Sequence, residues 1–395
     1  MIHTLVVKSI RACNLRCTYC YYINDDTPQY GLKISEETLT RLYETYGAYL
    51  AEQDGRGALI WHGGEPLLLG RKRFQRYLDL QREYFPEGRL QNRLQTNGAL
   101  ISDEWIDFLI ENDVQVGISL DGPREVHDRF RVDTKGRGSY DDTIRGIERL
   151  RARGVKVAVL SVAGAWEDGG SVLRHFRDEL DLKGADFLLP IRNHALARGD
   201  GLDMASIGRF LEQAFEEWTS RDEDGFRVRL FEALVLNALG IPHNYFASGA
   251  TQMGDVAVVE TTGEICMDTD FGQIDRFLHG EEYKSGFHLH DPSFQWKEVE
   301  RVLGRRLEAV GADRVPTECQ TCRIRSVCRG GHPASRFDDA DGGFDHRSAH
   351  CGALFPVSER VVEHLVRKGL GDHLADADLR KTLKQESSAG SEGMV

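Results

Sequence analysis

An α/β fold, with a parallel sheet as its first body and a smaller metal-organised segment after it, is what this sequence predicts. Two observations carry that expectation. Short β-branched runs alternate with amphipathic stretches six times before residue 200. After Gly240 the texture changes to short strands, glycines, histidines and scattered cysteines, and long apolar runs become few.

The elements follow in order. "HTLVVKSI" (3–10) reads as a strand and leads into a cysteine-bearing loop. "SEETLTRLYETYGAYLAEQ" (35–53) opens on a Ser35 cap with Glu36 and Glu37 in its first turn, a helix start. "GALIWHGG" (57–64) is the second strand and 72–85 the second helix. Strands near 91–96, 114–120, 155–162 and 185–191 then alternate with helices at 103–112, 140–153 and 171–180. Six βα repeats joined by right-handed crossovers give a partial (β/α)6, TIM-like barrel. The segments are then 1–200 for the barrel, 201–240 for a helical bridge (helices 203–219 and 226–239), 241–355 for the metal-organised part, 356–384 for a closing helix and 385–395 for a tail of disordered composition.

At 395 residues the chain can bury a large core, and a formal charge of −13 argues against a nucleic-acid partner, which would want a basic face. No run of about twenty apolar residues is present to span a membrane. The N-terminus lacks the pattern of a secretory signal, so the cytosol is expected. There, the eight cysteines read as metal ligands or catalytic groups rather than disulfides. Three lie near the start and five after residue 265.

The first group, Cys13, Cys17 and Cys20 in "ACNLRCTYCYY", offers three thiolates directly after a strand, where ligands gather in parallel α/β sheets. Either a distant fourth ligand closes a zinc or iron site, or one metal position stays open for chemistry. The C-x3-C-x2-C spacing, with Tyr19 before the last cysteine, resembles the cluster motif of the radical SAM superfamily. That resemblance implies a [4Fe-4S] cluster whose fourth iron binds S-adenosylmethionine, with reductive cleavage to a 5′-deoxyadenosyl radical that takes a hydrogen atom from an unactivated C–H bond. A low-potential donor of the flavodoxin or ferredoxin type would supply the electron.

The resemblance extends to the later strand ends. "GGEP" (Gly63, Gly64, Glu65, Pro66) looks like the family's motif for the methionine amino group, with exposed carbonyls and the Glu65 carboxylate as acceptors. "QTNG" brings Asn97, and "SLDGP" brings Ser119 and Asp121, which in the family reach the methionine carboxylate and ribose; a capped turn would equally use D-G-P. Arg131 or Arg137 would pair with the carboxylate, and Tyr19 and Leu189 would lie near the adenine. Tyr21 and Tyr22 fit either the core or the cofactor.

Cys319, Cys322 and Cys328, with Cys351 further on, are spaced for either zinc or iron–sulfur. After such a barrel the region resembles the SPASM extension, which implies that these four hold an auxiliary [4Fe-4S] cluster. The family's next cysteine falls at His332, and of the upstream cysteines only Cys266 remains, so a second four-cysteine auxiliary cluster is not available. Cys266 and His332 are candidate extra ligands. Sulfatase-maturating relatives carry a general-base Asp directly after the corresponding cysteine; here Met267 stands there and Asp268 follows, making Asp268 the candidate base. His194, His243, His288 and His290 read as surface or packing groups.

SPASM-bearing relatives mostly modify peptides, and "CRGGHPASRFDDADGGFDHRSAHC" looks most like maturases that form cross-links or cyclophanes on ribosomally made peptides. The expected substrate is therefore a precursor peptide that acquires a carbon–carbon, ether or thioether bond. The sulfatase-maturating reaction, which forms formylglycine, a small-molecule SPASM reaction, and a non-catalytic metal protein are the alternatives. A strand starting at residue 3 leaves no N-terminal leader-binding domain in this reading, so leader binding is expected to use the main domains or a separate leader-binding protein.

Overall fold

The computed structural model describes the chain apart from residues 25–26, 165–167, 222–224, 244, 246–253, 269, 275–283 and 393–395. The first elements are β1 (Thr4–Ile10), α1 (Glu36–Glu52), β2 (Gly57–Gly63), α2 (Arg71–Arg82), β3 (Leu90–Thr96), α3 (Asp103–Glu111), β4 (Val114–Ser119), α4 (Arg124–Phe130), α5 (Tyr140–Ala152) and β5 (Ala158–Val162). There follow α6 (Gly169–Arg174), β6 (Gly184–Leu188), α7 (His194–Ala197), α8 (Met204–Thr219), β7 (Arg227–Val228) and α9 (Arg229–Ala238). The last are β8 (Val256–Val259), β9 (Glu264–Cys266), β10 (Lys284–His288), α10 (Trp296–Ala309), α11 (Arg325–Cys328), α12 (Cys351–Arg367) and α13 (Ala377–Glu392).

Helix starts obey local chemistry. Ser35 Oγ accepts the Thr38 N–H at 3.0 Å and Ser102 Oγ the Trp105 N–H at 3.3 Å, each with acidic residues in the following turn. The closing helix begins at Cys351, five residues before the Pro356 where the sequence suggested a start; Pro356 is the sixth residue of the helix, past its first turn, and cannot donate the backbone bond back to Gly352 that another residue would make there. α13 runs through the stretch whose composition reads as disordered.

Two compact units divide the chain: Met1–Ser161 with Asp181–Gly184 and Gly254–Arg306, and Val162–Leu180 with Ala185–Met253 and Leu307–Val395. In the first, β1 to β5 form a parallel ladder in chain order, with Val7 beside Trp61, Trp61 beside Leu94, Leu94 beside Val116 and Gly117 beside Ala158. The loops after β1 to β4 open at one edge, which gathers the cysteine loop, GGEP, QTNG and SLDGP together. β8 pairs in parallel with the free side of β1 (Thr4 beside Val256), and β9 and β10 extend the sheet antiparallel. The sequence placed 241–355 in one separate segment, whereas residues 254–306 group with the barrel strands, because "VAVV" completes the ladder of β1 and buries its apolar side chains there.

The core of this unit is aromatic. Trp61 is fully buried between Phe74 and Tyr77, and its indole N–H reaches Asn92 Oδ1 at 3.0 Å. Trp296 of α10 packs edge-on against Tyr46 of α1 and donates to Thr45 Oγ1 at 3.1 Å. In the second unit α6 and α12 both pack on α8, around Phe210, Phe215 and Phe231. Among the described residues no helix is long and apolar enough to cross a membrane.

Candidate functional site

The cysteine loop is strapped down on both sides of its thiols. Arg16 N–H donates to Val132 O at 2.7 Å and Thr18 N–H to Phe130 O at 2.9 Å, tying the loop to the end of α4. Leu15 N–H points at Cys13 Sγ (3.4 Å) and Ile23 N–H at Cys20 Sγ (3.3 Å); Asn97 Nδ2 is 3.8 Å from Cys13 Sγ. All three cysteines are free thiols. Burial, then the charge of Glu65, pushes Cys13 up to about 12, and burial raises Cys17 although Arg131 opposes it. Buried thiols beside a carboxylate become thiolates only when positive charge joins them, and iron supplies that charge. Among the described residues no three His, Cys, Asp or Glu converge as ligands of one ion. A polynuclear cluster, with one thiolate per iron, requires no such convergence.

GGEP closes against this loop rather than standing apart from it. Gly64 N–H donates to Ile10 O and Glu65 N–H to Ala12 O, both at 2.8 Å. A Cβ on Gly64 would lie 2.0 Å from the Ala12 carbonyl oxygen, and Gly63 has φ +125°, so both positions need glycine. Glu65 differs from its expected role. Its carboxylate is fully buried and accepts Leu67 N–H (3.0 Å), Thr96 Oγ1–H (2.8 Å) and Asn97 N–H (2.8 Å). Of a carboxylate's roughly four acceptor positions, two are thus spent on joining GGEP to QTNG and a third on capping its own turn. Pro66 opens the short turn Pro66–Leu69 that Glu65 caps.

At the next two strand ends, Ser119 Oγ accepts from Gln95 Nε2 at 3.0 Å, and Asp121 is buried with its Oδ2 receiving the Tyr19 hydroxyl at 2.5 Å. Arg131 Nη1 donates to that same hydroxyl at 2.8 Å, while Arg131 Nε is buried with no partner. Of the two arginines left open by the sequence, Arg131 is the one bonded to the Tyr19 hydroxyl that Asp121 accepts. Arg137 instead pairs with Asp133 in an exposed turn. Tyr19 was expected near an adenine; here its phenol links Asp121 to Arg131, and its ring is tilted 6.2 Å from Phe130. His127, which sequence reasoning passed over, is fully buried, with Nε2 3.0 Å from Ser139 Oγ and Nδ1 facing the Asp121 N–H at 3.5 Å. Burial, then Arg131, lowers it to about 2, so it supports the Asp121 loop as a neutral ring. Leu189 follows β6 in the second unit, half-buried.

Lys8 was also missed. It is buried in β1, donates to Tyr21 OH at 3.0 Å and lies 4.7 Å from the centre of the Tyr22 ring. Tyr22 OH is 3.4 Å from Thr261 Oγ1, and Arg11 pairs with Glu260 at 3.5 Å. A lysine within "LVVKSI" reads as the outward residue of a half-exposed strand, and no local signal marks it as buried. Cys266 is buried in β9 beside Val258 and Lys284. Asp268 Oδ1 accepts the N–H groups of Asp270 (3.0 Å) and Phe271 (3.1 Å), so this carboxylate caps the turn Phe271–Gln273.

In the second unit Cys319 ends the turn Thr317–Cys319, Cys328 ends α11 and Cys351 begins α12. Burial, then Cys351 and Cys322, raises Cys319 to about 11; burial raises Cys328 to about 12, with Cys319, Cys322 and Cys351 adding to it and the Gly330 N–H opposing. The four thiols therefore feel one another and want the same compensating charge. Asp345 fastens the loop by accepting Thr317 N–H (2.8 Å) and Oγ1–H (2.6 Å). His332 is buried, but its Nδ1 caps the turn Pro333–Arg336 by accepting the Ala334 N–H at 3.2 Å. Cys351 also lines a cavity of about 470 Å³ with Arg192, His194, Arg347 and Phe355.

The sequence profile of the radical SAM superfamily matches residues 7–168, which span the cysteine loop and the four following strands. A serine-type anaerobic sulfatase-maturating enzyme of Klebsiella aerogenes is 30% identical over 84% of this chain and 80% of its own length. The chain belongs to the radical SAM superfamily. A serine-type anaerobic sulfatase-maturating enzyme of Bacteroides thetaiotaomicron is 27% identical over 97% of this chain and 95% of its own length. The solved structure of native anSMEcpe with bound AdoMet matches with TM-score 0.77 and 25% identity, covering 92% of this chain and 98% of that one. The α/β partial-barrel fold and radical SAM enzymology expected from the sequence are thereby established. So is the cofactor pair of that superfamily, S-adenosylmethionine and a [4Fe-4S] cluster.

Proposed function

We propose that this radical SAM enzyme takes a hydrogen atom from a side-chain or backbone C–H of a ribosomally made precursor peptide and closes a carbon–carbon, ether or thioether cross-link. Similarity along nearly the whole chain to enzymes named for maturing sulfatases, which are polypeptides, supports a peptide substrate. The observation that carries the cross-linking half is the cysteine inventory. Three thiols serve the first loop, four stand together in the second unit, and the one left, Cys266, is buried in a strand. The sulfatase-maturating branch places an Asp where Met267 stands, and this chain moves the carboxylate to Asp268.

In this reading Cys13, Cys17 and Cys20 each bind an iron, and Cys319, Cys322, Cys328 and Cys351 bind the auxiliary cluster. When bound, the first cluster and S-adenosylmethionine supply a carbon radical able to take a hydrogen atom from the peptide. The chain's own residues do the positioning. Gly63 and Gly64 bring backbone carbonyls beside the cysteine loop, Pro66 and Glu65 lock that turn, and Asn97 secures the Cys13 side. Ser119, Asp121 and Arg131 take the polar groups of S-adenosylmethionine, with Tyr19 fixing the latter two. Asp268 accepts the second hydrogen as a proton from the oxidised residue, and the auxiliary cluster, when bound, would supply the acceptor for the electron that leaves with it. A flavodoxin or ferredoxin type of protein delivers the electron, and a separate protein presents the precursor's leader.

Formylglycine formation is the second reading, favoured by the serine-type maturases among the relatives. Anaerobic incubation with a precursor peptide and, separately, with a sulfatase-derived serine peptide separates the two. Cross-linking gives a product that has lost two hydrogen atoms, resists fragmentation between the linked residues and fails to react with hydroxylamine. An aldehyde trapped by hydroxylamine on the serine peptide, with no change in the precursor, would replace the first reading by the second.

A further inference from the structure

Arg336 is fully buried, and all five of its N–H donors end on backbone carbonyls. Nε reaches Gly330 O (3.0 Å), Nη1 reaches Gly311 O and Arg314 O (both 3.0 Å), and Nη2 reaches Arg329 O (2.9 Å) and Gly331 O (3.0 Å). No carboxylate is among these partners. A buried cation satisfied only by carbonyls is costly unless an anion lies near; the groups near enough to act on it include Cys319, Cys328 and the Asp345 carboxylate, with the Arg329 guanidinium opposing them. The three residues it grips next to Cys328 are in an unusual state: Arg329, Gly330 and Gly331 all have positive φ (50°, 79° and 65°). The Arg329 and Gly331 N–H groups go to the carbonyls of Arg325 (3.0 Å) and Cys328 (2.8 Å). The Gly330 N–H lies near the Cys328 sulfur, and the carbonyl of the same peptide group, Arg329 O, is the one bound by Arg336 Nη2.

We propose that Arg336 is a positioning residue that raises the reduction potential of the auxiliary cluster, by polarising the 329–330 peptide toward the Cys328 sulfur and by placing a fixed positive charge beside the cluster. Hydrogen bonds to cluster sulfurs and nearby charge are the protein's main levers on such potentials. Arg336 also joins the loop before Cys319 to the loop after Cys328, so the same side chain sets both the field and the spacing of the thiols. The proposal rests on the reading that these four cysteines hold the auxiliary cluster.

The test is an EPR-monitored redox titration of the full chain carrying Cys13→Ala, Cys17→Ala and Cys20→Ala, so that only the auxiliary cluster is read. Its iron content is measured first. Zinc, or no iron, in this parent would overturn the cluster reading itself, before Arg336 is touched. With iron present, Arg336→Met should keep the cluster and shift its redox equilibrium toward the oxidised form by tenfold or more, about 59 mV for one electron. Arg336→Lys, which keeps the charge and loses the fork, should give a smaller shift of the same sign. An iron-loaded Arg336→Met with an unchanged midpoint would overturn the proposal. Should that variant lose its iron, the parent labelled with 15N-glycine decides: a 15N coupling to the reduced cluster supports the hydrogen bond from Gly330, and its absence overturns it.

Discussion

Glu65 Oε2 accepts the backbone N–H of Asn97 at 2.8 Å, so a single buried carboxylate ties the loop after β2 to the loop after β3. Glu65→Gln places an amide where two backbone donors and a hydroxyl converge. It should cost about 1–3 kcal/mol of stability, the penalty of a buried donor left unmatched. The urea midpoint checks this, and a midpoint equal to wild type would show that the carboxylate is not the tie.

Tyr19 and Arg131 should matter to S-adenosylmethionine binding through each other. Tyr19→Phe removes the hydroxyl between Asp121 and Arg131, and a lost charge-assisted hydrogen bond of about 1.5–3 kcal/mol predicts roughly tenfold or greater weakening. Equilibrium binding to the iron-loaded protein measures it. Arg137→Ala, in its exposed turn, should stay within about twofold; a larger effect there than at Arg131 would reverse the assignment.

Two buried histidines give stability a pH slope. His127 is lowered to about 2 and His350 to about 4, in each case chiefly by burial. A folded-state pKa below the unfolded value of about 6.5 means the unfolded chain binds more protons as pH falls. Stability is therefore full above about 6.5 and declines below it, by about 2 kcal/mol per histidine at pH 5. Urea titrations at pH 7.5 and 5 read the slope, and His127→Asn should remove part of it. Equal midpoints at both pH values would contradict neutral burial.

Cys328→Ala should lower the iron content while leaving some uncoupled cleavage of S-adenosylmethionine, because the first thiol set lies in the other unit. Full iron content in this variant would remove Cys328 from the ligand set.

The fold was largely legible because strand alternation and capping are local. Ser35 and Ser102 cap where their sequence context says, and the motif loops fall at strand ends. The return of Val256–Val259 to β1 was not legible, since nothing in four apolar residues names a partner some 250 positions away; only the pairing does. Site candidates could be named where residue type announces chemistry, the cysteines above all. Site reading failed for Lys8, His127 and Arg336, whose roles come from burial. The bonds that Glu65 accepts from Thr96 and Asn97 were not legible either, because an acidic residue in a glycine turn looks free until its donors are seen.

The central claim is that Cys13, Cys17 and Cys20 hold a cluster that breaks S-adenosylmethionine. The direct measurement is 5′-deoxyadenosine formed by the anaerobically reconstituted full chain with dithionite, beside Cys13→Ala, Cys17→Ala and Cys20→Ala. The account predicts product from wild type and none from any of the three. An iron-loaded wild type that yields no 5′-deoxyadenosine, or a Cys17→Ala protein that yields as much as wild type, would contradict it.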